Sequence, residues 1–370
     1  MMKGFSIAFF GSSLVSSYWN GAATYYRGLI RALHERGHRV TFFEPDAYDR
    51  QQHRDMEDPH WAKVVVYPAT EEGVFRSLEA AMGADIVVKA SGVGVFDELL
   101  EKEVLSLKTA DNQVVFWDVD APATLERISH NPDDPFRSLI PGYDLILTYG
   151  GGDPIVAGYG SFGARECIPV YNALDPDTHH PVPSDRRFCA DLAFLGNRLP
   201  DREKRVEEFF LRTAASLPHK RFLLAGSGWD DKQRPRNVDY LGHLGTASHN
   251  AFNCSPLAVL NISRESMAKN GFSPATRVFE AAGAGTCIIT DSWLGIEQFF
   301  EPGKEILVAG SGEEVADILE RLTPREASMV GLHAFARVRA EHTYAHRARQ
   351  VEAIFMEEES SMGSCAGGAA

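Results

Sequence analysis

Asn270-Gly271-Phe272-Ser273-Pro274 leads into a helical stretch over 275–284 that carries Arg277 and, one turn on, Glu280. Pro274 suits the first helical position and Ser273 the cap before it. A helix entered through such a loop presents N–H groups and the positive end of its dipole, which suits a diphosphate. Arg277 can add a charge-assisted pair, and Glu280 on the same face can accept both hydroxyls of a ribose. The plainer reading makes Arg277 and Glu280 an ordinary surface ion pair worth a few tenths of a kcal/mol. Polar or glycine positions also end successive β-rich runs upstream: Gly196-Asn197-Arg198, Gly226-Ser227-Gly228, Tyr240-Leu241-Gly242 and Arg264. Their recurrence in one half of the chain favours a nucleotide site.

Earlier, Gly11-Ser12-Ser13 opens a small-residue loop that closes with Asn20-Gly21 and feeds another helix. It offers a second anion seat, or a plain turn capped by Asn20; it is neither G-x-G-x-x-G nor a P-loop. Asp118-Val119-Asp120 has the D-x-D spacing of a metal pair, or else makes a turn that caps a helix over 123–128. His179-His180 lies in a proline-rich stretch and reads as linker, so no metal ligand is assigned.

The elements that must position these groups follow one grammar twice. Residues 5–10, 39–43, 85–89, 113–117, 144–148 and 165–170 are continuous apolar runs, as in a parallel sheet covered on both faces. Between the first two, Ala22, Tyr25, Tyr26, Leu29, Ile30 and Leu33 form one apolar helical stripe that Gly37 ends. Strands resume at 191–195, 221–225, 238–241, 257–262, 286–290 and 306–308, with helices over 203–216, 275–284 and 313–322. The proline-rich stretch 172–184 separates the halves. The expected division is therefore a first domain over 1–171, a linker over 172–188 and a second domain over 189–343. A helix over 344–358 and a disordered Gly/Ala/Ser-rich tail over 359–370 complete it. Facing α/β domains place ligands in the cleft at their strands' carboxyl ends.

With 370 residues, 44% of them hydrophobic and 24% charged, the chain has the balance of a folded two-domain protein rather than a disordered one. Its net charge of −14 argues against nucleic acid as a partner. Cys167, Cys189, Cys254, Cys287 and Cys365 are odd in number and form no C-x-x-C pair, which points to reduced thiols in the cytoplasm. No apolar run of membrane-spanning length occurs, and the opening residues do not read as a secretory leader.

Three segments carry a family resemblance. Residues 20–41 look like the opening strand–helix–strand unit of GT-B glycosyltransferases, and Asn172-Ala173-Leu174-Asp175 with His180-Pro181 resembles their interdomain signature. Residues 273–291 are similar to the donor-binding helix of the spore-maturation CgeB-like group among them. The resemblance implies α/β architecture with two Rossmann-like domains facing across a cleft, and a last helix crossing back to the first domain. It implies a nucleotide-sugar donor, UDP-sugar foremost, held mainly by the second domain, no cofactor, and an acceptor hydroxyl on a small molecule, glycan or protein. By position, Glu280 would bind the ribose, Gly271, Phe272 and Ser273 the sugar or diphosphate, and Arg198 and Arg264 the diphosphate. Gly11, Ser12, Gly21, Asn197 and Gly242 would complete the donor loops. Many retaining relatives carry E-x₇-E, and here Phe272 stands where the first Glu would be. In this frame the D-x-D belongs to acceptor chemistry, with Asp120 as general base and Asp118 orienting it. A nucleotide-sugar epimerase and a non-catalytic binding protein of the same fold are the alternatives, and either a monomer or a homodimer is compatible.

Overall fold

The computed structural model describes residues 4–18 and 20–366, with side chains to 357. The chain folds as two compact units: residues up to Tyr171 together with those from Tyr344 onward, and Asn172–Thr343.

The first unit holds a seven-stranded parallel sheet of β1 (Ser6–Phe10), β2 (Arg39–Asp46), β3 (Lys63–Pro68), β4 (Ile86–Ala90), β5 (Gln113–Asp118), β6 (Leu145–Thr148) and β7 (Cys167–Pro169), in the order β3-β2-β1-β4-β5-β6-β7. Phe10, Phe43, Val87, Phe116 and Ile146 from its five central strands are almost fully buried in one cluster, which is why these runs are apolar without alternation. The strand β3 is absent from the sequence reading. It sits at the sheet edge, and its bounding Lys63 and Pro68 are exposed, so its pattern lacks the signature of a buried strand.

The helix Tyr344–Ala366 belongs to this unit. It packs on the helix Ala23–Glu35 where Gly28 leaves room for the Tyr344 ring; a Cβ there would lie 2.2 Å from Tyr344 Cδ2. Arg347 donates to the Tyr171 carbonyl at 3.0 Å, and Gln113 to that of Phe355 at 2.8 Å. The helix thus continues to Ala366 through part of the expected disordered tail, whose last residues, 367–370, lie outside the described residues, as do the opening Met1–Lys3.

The second unit has six parallel strands, β8 (Leu192–Leu195), β9 (Phe222–Ala225), β10 (Val238–Tyr240), β11 (Ala258–Asn261), β12 (Ile288–Asp291) and β13 (Leu307–Ala309), in the order β10-β9-β8-β11-β12-β13. Phe194, Phe210, Leu224, Leu260 and Ile289 centre its core. The stretch read as a linker is part of this unit. Leu174 fills the space beside Gly283 and its N–H donates to the His342 carbonyl at 2.8 Å. The helix expected over 203–216 runs from Pro200 to Ser216 with a π-helical segment, Glu207–Arg212, in its middle. A further helix, Pro324–Glu341, starts with a Thr323/Glu326 capping box.

Each sheet reverses its winding once, between β1 and β4 and between β8 and β11. The crevice outside the carboxyl ends at such a switch point is where an open α/β sheet accepts a ligand. In the second unit that point is flanked by the loop after β8, which holds Gly196, Asn197 and Arg198, and by the segment after β11, which holds Arg264 and Gly271–Ser273.

Candidate functional site

The segment after β11 is held from beneath. Asp291, fully buried at the end of β12, accepts the Ser263 N–H at 3.1 Å and the Arg205 guanidinium at 2.6 Å. Arg264 follows, then the short helix Glu265–Asn270, then Gly271 at φ 71° and Phe272 at φ 47°. Left-handed backbone is costly for a phenylalanine, and two contacts enforce it. The Phe272 N–H donates to the Leu294 carbonyl at 2.6 Å, and its ring occupies the space beside Gly295, where a Cβ would come within 2.1 Å of it. Phe272 therefore braces the loop from the position where E-x₇-E relatives carry an acid.

The helix beyond begins two residues later than its sequence suggests. It spans Thr276–Gly283 with Ala275 as N-cap, so Ser273 makes no cap. The Ser273 hydroxyl lies two residues too early to reach the first helical N–H groups; it is buried and has no hydrogen-bond partner among the described residues. Alanine has no acceptor, so the helix start lacks a side-chain cap.

Arg277 and Glu280 are not a surface pair. Their side chains are 21% and 12% exposed, with Arg277 Nη2 3.6 Å from Glu280 Oε2. Burial lowers the pKa of Arg277, and its Nη1 is buried without a partner. Burial pushes the Glu280 carboxyl up, but Arg277, His179 and His249 together outweigh it and hold the group ionised. Arg202, in the first turn after the β8 loop, lies with its guanidinium 5.5 Å from the Phe194 ring centroid and donates to the Asn197 carbonyl. Burial and the like charges of Arg277 and Arg264 push it down to about 10, and its Nε is buried without a partner. Buried donors normally find partners. Arg277 Nη1, Arg202 Nε and Ser273 Oγ are three that do not among the described residues, and the charges of Arg277 and Arg264 both act on Arg202. An anion would satisfy them.

Sequence reasoning missed Arg202, His179 and His249. His179 is 5% exposed, with Nε2 3.8 Å from Glu280 Oε1. His180, its neighbour, is exposed and donates its N–H to Asn250 Oδ1 at 3.3 Å.

Residues 202–353 match a family model described as glycosyl transferase-like. No curated protein matches the chain in sequence. Among solved structures, sucrose-phosphate synthase from Thermosynechococcus elongatus superposes with a TM-score of 0.69 at 14% identity, over 96% of this chain and 100% of that one. HepE of Anabaena, in complex with UDP and glucose, gives 0.66 at 15% over 95% and 100%. A glycosyltransferase from Rickettsia africae gives 0.65 at 10% over 96% and 99%. The chain has the GT-B fold.

Several residues expected at a GT-B donor site have their polar groups engaged elsewhere. The Arg198 guanidinium chelates Glu203 at 2.9 and 2.8 Å and reaches Asp231 at 2.8 Å, so it ties surface loops together. Arg264 Nε donates to Asp201 at 2.6 Å. Asn197 Oδ1 accepts the Ser227 N–H at 2.9 Å, and the carbonyl of Gly242, itself at φ 71°, accepts the Gly226 N–H at 2.8 Å.

In the first unit, Gly11 serves packing: a Cβ there would sit 2.4 Å from Phe42 Cζ. The Ser12 hydroxyl donates to Asn20 Oδ1 at 2.8 Å, while the Asn20 amide donates to the Ser13 and Ser16 carbonyls. Asn20 thus clasps its own loop; the helix N-cap is Ala22, and Gly21 is exposed beside it. The fully buried Asp118 accepts from Ser91 Oγ at 2.7 Å, the Asp120 N–H at 2.9 Å and the Tyr159 hydroxyl. Its oxygens are committed to the unit's interior, which argues against a D-x-D metal pair. Asp120 is half-buried at the N-cap of the helix Ala121–His130, and its side chain makes no cap bond. Among the described residues no helix is long and apolar enough to cross a membrane.

Proposed function

We propose that this protein is a hexosyltransferase of the CgeB-like group that moves a sugar from a UDP-sugar to an acceptor hydroxyl, without a metal cofactor. One observation carries the reading: three buried, unpartnered donors of Arg202, Ser273 and Arg277 lie about the second switch point, beside an ionised, mostly buried Glu280. As the glycosidic bond breaks, negative charge grows on the departing UDP. Pre-placed donors in a low-dielectric site stabilise that charge with little reorganisation. Arg277, Arg202 and the uncapped helix start take the diphosphate; Glu280 takes the ribose hydroxyls. The UDP and glucose named for the Anabaena structure of this fold agree with that ligand class. In the first unit Asp120 is the proposed general base, and the engaged Asp118 positions it through the Asp120 N–H. The free thiols of Cys167, Cys189, Cys254 and Cys287 support a cytoplasmic setting.

Thermal-shift titration with UDP-glucose, UDP and uridine tests the reading, because a ligand preferring the folded chain raises its melting point. UDP is expected to stabilise far more than uridine. Arg202→Met should weaken UDP about tenfold or more, one charge-assisted bond, while leaving uridine unchanged. A chain indifferent to millimolar UDP and UDP-sugars would reject the proposal.

A further inference from the structure

His179, His249 and Glu280 each offer one ligand atom, and these atoms lie within 4.8 Å of one another. Each side chain is prepared for coordination in a different way. His179 is 5% exposed; its Nδ1 pairs with the Thr178 hydroxyl at 3.0 Å, and its Nε2 faces Glu280 without a hydrogen-bond partner. His249 has Nε2 3.2 Å from the Leu244 carbonyl, and donating there leaves the lone pair on Nδ1. A metal-binding histidine commonly has its second ring nitrogen fixed in this way. Glu280 turns Oε1 toward His179 while Oε2 faces Arg277 at 3.6 Å, so Arg277 can stay as an outer partner of a coordinated carboxylate. Two imidazoles and one carboxylate with a fourth position for water make a set suited to zinc.

We propose that His179, His249 and Glu280 bind a zinc ion that excludes the nucleotide, so that zinc is an inhibitor of this site. The exclusion rests on the assignment of Glu280 to the donor ribose; the metal site rests on the three side chains alone. A zinc on Glu280 Oε1 fills the space in front of that oxygen while Oε2 already faces Arg277, so the carboxylate cannot also accept both ribose hydroxyls. The His179-Nε2 to Glu280-Oε1 gap of 3.8 Å closes only slightly to reach the separation of two ligands on one zinc.

The test is titration of the full chain with zinc chloride against a chromophoric chelator, on the wild type, His249→Ala and His179→Gln. One zinc per chain is expected, with affinity lowered about tenfold or more in each variant. Cobalt(II) in the wild type should show the intense visible absorption of a four-coordinate N/O site, a readout that does not depend on how a variant folds. Uridine, which carries the ribose without a metal-binding diphosphate, should weaken zinc binding in proportion to its own occupancy. Zinc affinity equal in wild type and both variants, or no zinc binding by the wild type, overturns the site. Zinc binding indifferent to uridine, when calorimetry in zinc-free buffer shows uridine bound, overturns the exclusion. Failure of UDP and uridine to bind in zinc-free buffer instead refutes the donor assignment, and the zinc titration then still decides the metal site.

Discussion

Glu280→Gln isolates the ribose contact from the fold. Among the described residues Glu280 is the only side-chain counter-charge beside the buried Arg277, at 3.6 Å. Truncation to alanine would leave that guanidinium uncompensated, a change that costs about 3–5 kcal/mol when one partner of a buried pair is removed. Stability loss would then mask any effect on binding. Glutamine keeps the volume and one acceptor oxygen for Arg277 while removing the charge and one acceptor for the ribose. A hydrogen bond to a charged group contributes about 1.5–3 kcal/mol, so UDP affinity should fall about tenfold to a hundredfold. Calorimetry on wild type and variant, each with UDP and with 2′,3′-dideoxy-UDP, gives the deciding comparison. The dideoxy ligand lacks the hydroxyls Glu280 is held to grip, so its affinity should barely change on mutation. An equal loss for both ligands would mean that Glu280 acts through Arg277 on the phosphates, and no loss for UDP would end its role in binding; either result refutes the ribose assignment.

Three further outcomes concern the first unit. Burial pushes Glu101 up to about 7 against the opposing charges of Lys89 and Arg127, with Asp97 and Asp134 adding to the rise. In the folded chain it therefore keeps a proton that the unfolded chain releases near 4.5, so stability should fall as pH rises from about 4.5 to about 7, by up to roughly 3 kcal/mol. Urea unfolding across that range should show the slope in wild type and lose it in Glu101→Gln. Asp120→Asn is expected to cut turnover about a hundredfold with the donor dissociation constant unchanged. Asp118→Asn should instead lower stability by about 1–3 kcal/mol, because the Tyr159 hydroxyl, Ser91 and the Asp120 N–H all lean on it; steady-state kinetics beside thermal melts separate the two.

Much of the architecture was legible because strands covered on both faces must be apolar throughout, and helix spacing alone puts Glu280 one turn from Arg277. The misses share a different physics. Helix starts at Ala22 and Ala275 depend on backbone dihedrals one or two residues away, so good capping residues such as Asn20 and Ser273 ended up clasping a loop or lying without a partner. His179 read as linker because proline-rich composition says nothing of the chain folding back onto the second unit's own helix.

The sharpest case is the four arginines around the second switch point. By residue type they are equal candidates for a diphosphate, and what separates them is which carboxylates the fold brings within reach. Arg198 meets Glu203 and Asp231, and Arg264 meets Asp201. Arg277 has Glu280 at a looser 3.6 Å, and Arg202 donates to a backbone carbonyl while its charge lies over Phe194. An arginine already chelated by acids must break those bonds to hold a phosphate, and one with a buried unfilled N–H need not. The proposed donor site therefore rests with Arg202 and Arg277, a distinction set in part by Asp231 and Asp201, which lie 33 and 63 residues from Arg198 and Arg264 in the chain, beyond any local reading of it.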